Sequence, residues 1–158
     1  STLLTNSGRT FSSFRKEIPD ITICTDVICG FPGETEEQFM DTVRSLQEIQ
    51  PDSVNISRFW ARPQTTAARL SNQIPGQEIK RRSRILKEVF EQISVERNRK
   101  WIGWEGEVLL TEKGKDDQWI GKNYAYKQVV VEGNHSIGDQ IRVRIIDAGT
   151  YEIRGEVR

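Results

Sequence analysis

The chain has 158 residues, of which 23 are basic and 23 acidic, so bulk charge selects no partner class. Its apolar runs are far too short to cross a membrane, and no basic region followed by an apolar core marks a secretion signal. The two cysteines, Cys24 and Cys29, lie five positions apart on one predicted strand. They point to opposite faces and cannot easily bridge, so a reducing, cytoplasmic setting is expected.

Residues 1–13 are polar and without a sustained period. They read as a poorly ordered lead-in, or as the frayed start of a helix ending over Phe14–Glu17. From Ile21 to Ile28 the chain is β-branched and apolar on both faces, as in a buried parallel strand. Thr35 and Gln38 have the spacing of a capping box, and Phe39, Val43, Leu46 and Ile49 continue as one helical stripe. Pro51 ends that helix, and Ser53–Trp60 is the next predicted strand. Strand, helix and strand over so short a length make a βαβ unit, which requires a parallel pair.

An irregular loop starts at Arg62-Pro63 and ends near Pro75-Gly76, before a longer helix over Gln77–Lys100. Ile79, Leu86, Phe90 and Ile93 occupy one side of this helix; Lys80, Arg81, Arg82, Arg84 and Lys87 form a basic face, either simply solvated or tracking nucleic-acid phosphates. Lys80 to Lys100 holds eight basic and three acidic residues, the one marked charge asymmetry of the chain. The texture changes at Trp101. Short strands are predicted at Gly106–Glu112, Gln118–Lys122, Gln128–Glu132, Gln140–Asp147 and Thr150–Val157, separated by glycine and charged turns. Alternation at Val108/Leu110, Val129/Val131 and Ile141/Val143/Ile145 fits half-buried antiparallel strands closing into a small barrel.

The chemistry-bearing segment is Thr25-Asp26-Val27-Ile28-Cys29-Gly30-Phe31-Pro32-Gly33-Glu34-Thr35. A strand runs into a turn with two glycines, and the turn opens a helix. Glycines let a backbone bend tightly and approach a ligand closely, and a helix start offers unpaired N–H groups. This is the ligand-facing end of a parallel strand in an α/β fold, or simply a tight strand-to-helix connection. Glu34 either fixes the turn or a ligand hydroxyl, or it favours the helix dipole. Asp26 is a ligand contact or the ion-pair partner of Arg58. No lysine follows Gly33, which weighs against an ordinary nucleotide-phosphate site. His135, the single histidine, lies in a turn and is given no catalytic role.

As a whole string, TDVICGFPGETEEQF resembles the radical S-adenosylmethionine (SAM) tRNA methylthiotransferases. The resemblance begins near Phe14–Asp20 and continues through Val54–Phe59, the Arg62-Pro63 loop and the Ser94–Asn98 helix end. The last sixty or so residues, with Val108–Glu112 and Gly121–Tyr124, resemble the TRAM domain, an OB-like RNA-binding barrel. Cys29 and Asn55–Phe59 look most like the archaeal and eukaryotic branch, whose members methylthiolate threonylcarbamoyladenosine beside the anticodon. Two features depart from the family: Gln64-Thr65-Thr66 replaces a Pro-Gly-Thr-Pro run, and the first dozen residues match nothing expected there.

The resemblance implies residues 14–100 as part of a radical SAM (β/α) barrel and residues 101–158 as the TRAM barrel, after the lead-in at 1–13. It implies a SAM pocket built partly from Asp26, Ile28, Gly30, Phe31, Pro32, Gly33, Glu34, Arg58 and Arg62. On the barrel it implies tRNA contact through Lys113, Lys115, Trp119, Lys122, Tyr124, Tyr126 and Lys127. Residues 101–158 carry eight basic and ten acidic residues, so such contact must come from local placement. In the family, SAM serves as radical source and methyl donor, and cysteine triplets hold 4Fe–4S clusters. Cys24 and Cys29 cannot supply either triplet, so no metal ligand and no catalytic residue is expected in this chain, which alone should be inactive. A sheet edge left exposed by absent strands invites pairing, including with a second copy. The competing reading is a stand-alone RNA-binding protein whose α/β part is only scaffold or dimer interface.

Overall fold

The computed structural model describes residues 10, 11 and 13–158. These form two units. One runs to Ile93 but omits Asp20–Thr22; the other combines Asp20–Thr22 with Ser94–Arg158. Most of the lead-in expected at 1–13 lies outside the described residues.

In the first unit, residues 10, 11 and 13–17 are helical. Arg15 from this segment donates to the carbonyls of Ile49 and Gln50 and pairs with Asp52 at 3.4 Å. β1 (Cys24–Cys29) and β2 (Ser53–Arg58) pair in parallel, with Asp26 beside Asn55 and Ile28 beside Ser57. Between them, α1 (Glu36–Ile49) starts at the predicted Thr35 cap, and both arms of the capping box are made. Gln50 closes the helix in the left-handed region, its N–H returning to Leu46 O. α2 (Gly76–Arg99) follows a loop containing one 3₁₀ turn, Ala67–Arg69. Phe39, Val43 and Leu46 of α1 meet Leu86 and Ile93 of α2 and Cys29 of β1 in one apolar core.

β1 departs from expectation in both extent and burial. Its ladder begins at Cys24, because the Ile23 N–H is bound by the Asp52 carboxylate and Asp20–Thr22 belong to the other unit. Only one face is covered. Val27 and Cys29 pack toward the helices, whereas Cys24, Asp26 and Ile28 are exposed. A two-stranded sheet with helices on one side leaves its other side open, so apolar residues on both faces do not make both faces buried. β2 likewise ends at Arg58, and Trp60 is exposed.

The second unit is a closed five-stranded barrel: β3 (Glu105–Lys113), β4 (Gln118–Lys122), β5 (Gln128–Glu132), β6 (Gln140–Ala148) and β7 (Ile153–Val157). The order around it is β3-β4-β5-β7-β6, closed by β3 with β6, and the one parallel contact joins β5 to β7. This is the strand order of an OB-type barrel. Val108, Leu110, Val129, Val131, Val143, Ile145 and Ile153 fill it, every one from the inward half of an alternating strand. Bulges at Leu110/Glu112 and Ile145/Asp147 bend the two long strands around the core.

Candidate functional site

Two surfaces, one on each unit, carry the residues singled out from the sequence. On the first, Asp26 and Ile28 of β1 lie level with Asn55 and Ser57 of β2 on the uncovered sheet face. The face thus offers a carboxylate, an amide, a hydroxyl and one bare apolar side chain, Ile28, which is 61% exposed. Beyond the strand ends, Phe31 and Phe59 stack edge to face with centroids 5.2 Å apart. Asp26 has no ion pair with Arg58. Arg58 is in register with Cys29 and so projects to the opposite side of the sheet. Arg62 is exposed in the following loop. Asn55 and Ser57 drew no role from the sequence, although parallel register with Asp26 and Ile28 was the signal available to find them.

The turn between β1 and α1 is built differently from the expectation of an open anion site. Gly30 has φ +83°, and a Cβ there would sit 2.6 Å from Ile79 Cγ1; Gly33 has φ +86°, and a Cβ there would sit 2.3 Å from Asn72 Nδ2. Both glycines therefore make room for protein, namely α2 and the loop before it. Most of the turn's donors are also engaged. Gly30 N donates to Glu34 Oε2 at 2.8 Å, Gly33 N to Asn72 O at 2.9 Å, and Glu34 N to Phe31 O at 2.9 Å. The Thr35 and Gln38 amides are taken by the capping box. Pro32 is buried and Phe31 exposed.

Arg82 locks this turn from α2. The sequence places it on a basic face, solvated or phosphate-tracking, yet its side chain is only 5% exposed. Nη1 lies 2.6 Å from Glu34 Oε2 and 2.9 Å from Glu34 O, and Nε donates to Glu78 Oε1 at 2.8 Å. The guanidinium also rests 5.3 Å above the Phe39 ring centroid. Burial alone lowers the Arg82 pKa, but Glu78 and Glu34 outweigh it and raise it overall. Arg81 beside it pairs with Glu36 and Glu78, and these two arginines hold the Glu78 carboxyl down at about 2. Two members of the expected basic face, Arg81 and Arg82, are therefore neutralised by carboxylates of the turn, α1 and α2. With four carboxylates (Glu34, Glu36, Glu37, Glu78) against two guanidiniums, the surroundings of the turn favour a neutral or cationic ligand over a phosphate.

The residues do not fit an iron–sulfur cluster. Cys24 is exposed and Cys29 buried, on opposite faces, and burial pushes the Cys29 thiol up. No group of three or more His, Cys, Asp or Glu able to hold a metal occurs among the described residues.

On the barrel, Lys113 lies 5.8 Å from the Trp119 ring centroid and Lys122 5.9 Å from that of Tyr126. Lys115 is exposed in the turn between β3 and β4. Trp119 is half-buried and anchored by its indole N–H on Gly133 O. The Tyr124 hydroxyl donates to Asp20, and its ring stands 6.0 Å from both Trp101 and Trp104. Asp20 raises the Tyr124 pKa to about 12. Lys127 does not join this surface. It is buried, and its Nζ donates to Asn98 Oδ1 at 2.8 Å. The opposite wall is arranged otherwise: on β6, Arg144 faces Glu105 at 3.8 Å and is in register with Glu156, which pairs with Arg158 at 3.5 Å. No described helix is long and apolar enough to cross a membrane.

With these surfaces in place, comparison with known proteins is informative. The TRAM domain family matches residues 99–157. The probable threonylcarbamoyladenosine tRNA methylthiotransferase of Methanothermobacter thermautotrophicus is 42% identical over 139 residues, covering 87% of this chain and 32% of that protein. The threonylcarbamoyladenosine tRNA methylthiotransferase of Homo sapiens is 36% identical over 150 residues, 94% of this chain and 25% of its own length. The tRNA-2-methylthio-N(6)-dimethylallyladenosine synthase of Tropheryma whipplei is 38% identical over 152 residues, 92% of this chain and 32% of its own length. The chain thus spans about a third or less of the curated relatives it matches. Residues 99–157 are thus a TRAM domain, and over most of its length the chain is similar to the C-terminal part of proteins named tRNA methylthiotransferases.

Proposed function

We propose that this chain provides one wall of a SAM pocket and the tRNA-docking barrel of a methylthiotransferase that modifies threonylcarbamoyladenosine. The observation that carries the first part is the open β1–β2 face. Ile28 offers an apolar surface to an adenosine ring, Asn55 and Ser57 offer hydrogen bonds, and the unpaired Asp26 carboxylate suits a cationic ligand. Phe31 continues this surface at the strand end, with the buried Gly30 and Pro32, and with Gly33 and Glu34, shaping the turn beneath it. Arg62, in the loop after β2, extends toward the ligand's carboxylate or the tRNA, whereas Arg58, on the opposite sheet face, does not line this wall. When bound, SAM supplies the radical and the methyl group in this family; the residues here bind and orient it. A phosphate ligand is disfavoured because the Gly30, Gly33, Glu34 and Thr35 amides are already engaged.

For tRNA, Lys113, Lys115 and Lys122 supply the cations, and Trp119, Tyr124 and Tyr126 supply flat surfaces on which bases stack. The exposed β4–β5 side is also where OB-type barrels take oligonucleotides. Threonylcarbamoyladenosine is preferred to a dimethylallyl adenosine because it appears in the names of relatives from archaea, human and mouse. The chain contributes no cluster ligand and does not catalyse the transfer alone. Four-sulfur iron ligation reconstituted in this polypeptide would overturn that statement. The open edges of β1 and β2 are sites for further strands, from a longer protein or from a second copy.

Equilibrium dialysis of the 158-residue chain against SAM and ATP, together with filter binding of tRNA over a salt series, tests this reading. Binding of SAM and tRNA but not ATP is expected. Tight tRNA binding without SAM affinity would favour the second reading, an RNA-binding module on an inert scaffold, which the separate cores of the two units also suit.

A further inference from the structure

The structure assigns Arg82 as a positioning residue for the ligand turn: acting through Glu34, it fixes the Gly30 amide and hence the Ile28–Phe31 backbone that the ligand meets. This rests on the pocket reading above and names a residue of α2, distant in sequence from the turn it controls.

One carboxylate oxygen carries the link. Glu34 Oε2 accepts from Gly30 N at 2.8 Å and from Arg82 Nη1 at 2.6 Å, while the same Nη1 also reaches Glu34 O at 2.9 Å. Side chain and main chain of Glu34 are thus held by one guanidinium nitrogen. Nε binds Glu78 on the same helix, Nη2 reaches Glu36 at 3.4 Å, and Phe39 lies under the group, so the guanidinium has little freedom to move. A buried ion pair is weak evidence for stability, since replacing both partners by well-packed apolar side chains is commonly neutral. Its effect here is geometric. Gly30 sits at φ +83° against Ile79, a conformation that a glycine leaves readily once its amide is released. A lysine at 82 keeps the charge but has no planar fork, and cannot hold Glu34 and Glu78 together.

The test uses the 158-residue chain with SAM as probe, comparing R82K with R81Q, which removes the exposed pairs to Glu36 and Glu78 but leaves Glu34 untouched. SAM dissociation constants are read by dialysis, and amide exchange at Gly30 is read by NMR without ligand. R82K should weaken SAM binding by about tenfold and speed Gly30 exchange by about the same factor, while R81Q stays within about twofold of the unaltered chain on both. Exchange across the β1–β2 ladder should not follow Gly30 in R82K; a general loosening there would mean that Arg82 is merely structural and would overturn the proposal. Should R82K not fold, E34D, one methylene too short to span Gly30 and Arg82, should give the same pair of changes. Unchanged SAM affinity in R82K or E34D overturns the proposal alone. Absence of SAM binding by the unaltered chain overturns the pocket reading and the proposal with it.

Discussion

The two units use charge in opposite ways. In the α/β unit an arginine is buried among carboxylates from a turn and two helices, and it holds together elements far apart in the sequence. In the barrel unit, apart from the buried Lys127, the cations stay outside an apolar core: lysines lie over aromatic rings, and an arginine faces a glutamate across exposed strands. A small barrel closes chiefly on its own strand ladders. Two strands and two helices make a thinner core, and the turn at their rim must be fixed by polar contacts. An ion pair therefore means different things in the two regions, and the sharpest tests exchange the same chemistry between them.

The largest contrast should come from removing one arginine in each. R82M leaves the Glu34 carboxylate buried without its counter-charge and should cost about 3–5 kcal/mol in the α/β unit, measured by denaturant unfolding followed at β1–β2 amides. R144M removes an exposed partner of Glu105 and should change barrel stability by less than about 1 kcal/mol. Equal costs would break the comparison. Next, Ile153→Ala hollows the barrel core and should cost about 2–5 kcal/mol there, leaving the β1–β2 amides unaffected, as expected of separate cores.

Smaller effects concern ligand and pH. Lys122→Ala should lower the salt slope of tRNA binding by about one, and Arg144→Ala by much less, because Glu105 already neutralises it. An equal loss would place RNA on both walls of the barrel. The pH windows also separate the units. Glu78 is held below its ordinary 4.5 at about 2, so its contribution is complete above pH 4.5 and disappears as pH falls toward 2. Tyr124 is raised from 10.0 to about 12, so its contribution is complete below pH 10 and disappears as pH rises toward 12. Acid should therefore loosen the α/β unit at Glu78, and alkali the Tyr124–Asp20 contact of the barrel. NMR-monitored pH titration, with Asp20→Asn abolishing the alkaline effect, checks both.

Much of the fold was legible locally. Thr35 and Gln38 marked the start of α1, Pro51 followed its end, and period-two alternation found the barrel strands with their inward residues. These patterns are readable because caps and pleats act within a few residues. The site was less legible. Nothing local distinguishes Arg82 from Arg81 or Arg84; its burial depends on Glu34, 48 residues away. Lys127 likewise looked like a surface cation until Asn98 claimed it. The open face of β1 was missed because apolar composition tells which residues can be buried, not whether a layer exists to bury them.

Local patterns thus suffice for most of the elements, the family resemblance and the alternation that closes the barrel, since these rest on short-range backbone chemistry and on strings of residues. Which charges are buried, which sheet face is open and which atoms the turn's glycines accommodate emerge only once the segments pack together. Those outcomes depend on desolvation and contact between segments distant in the chain, which no local pattern encodes.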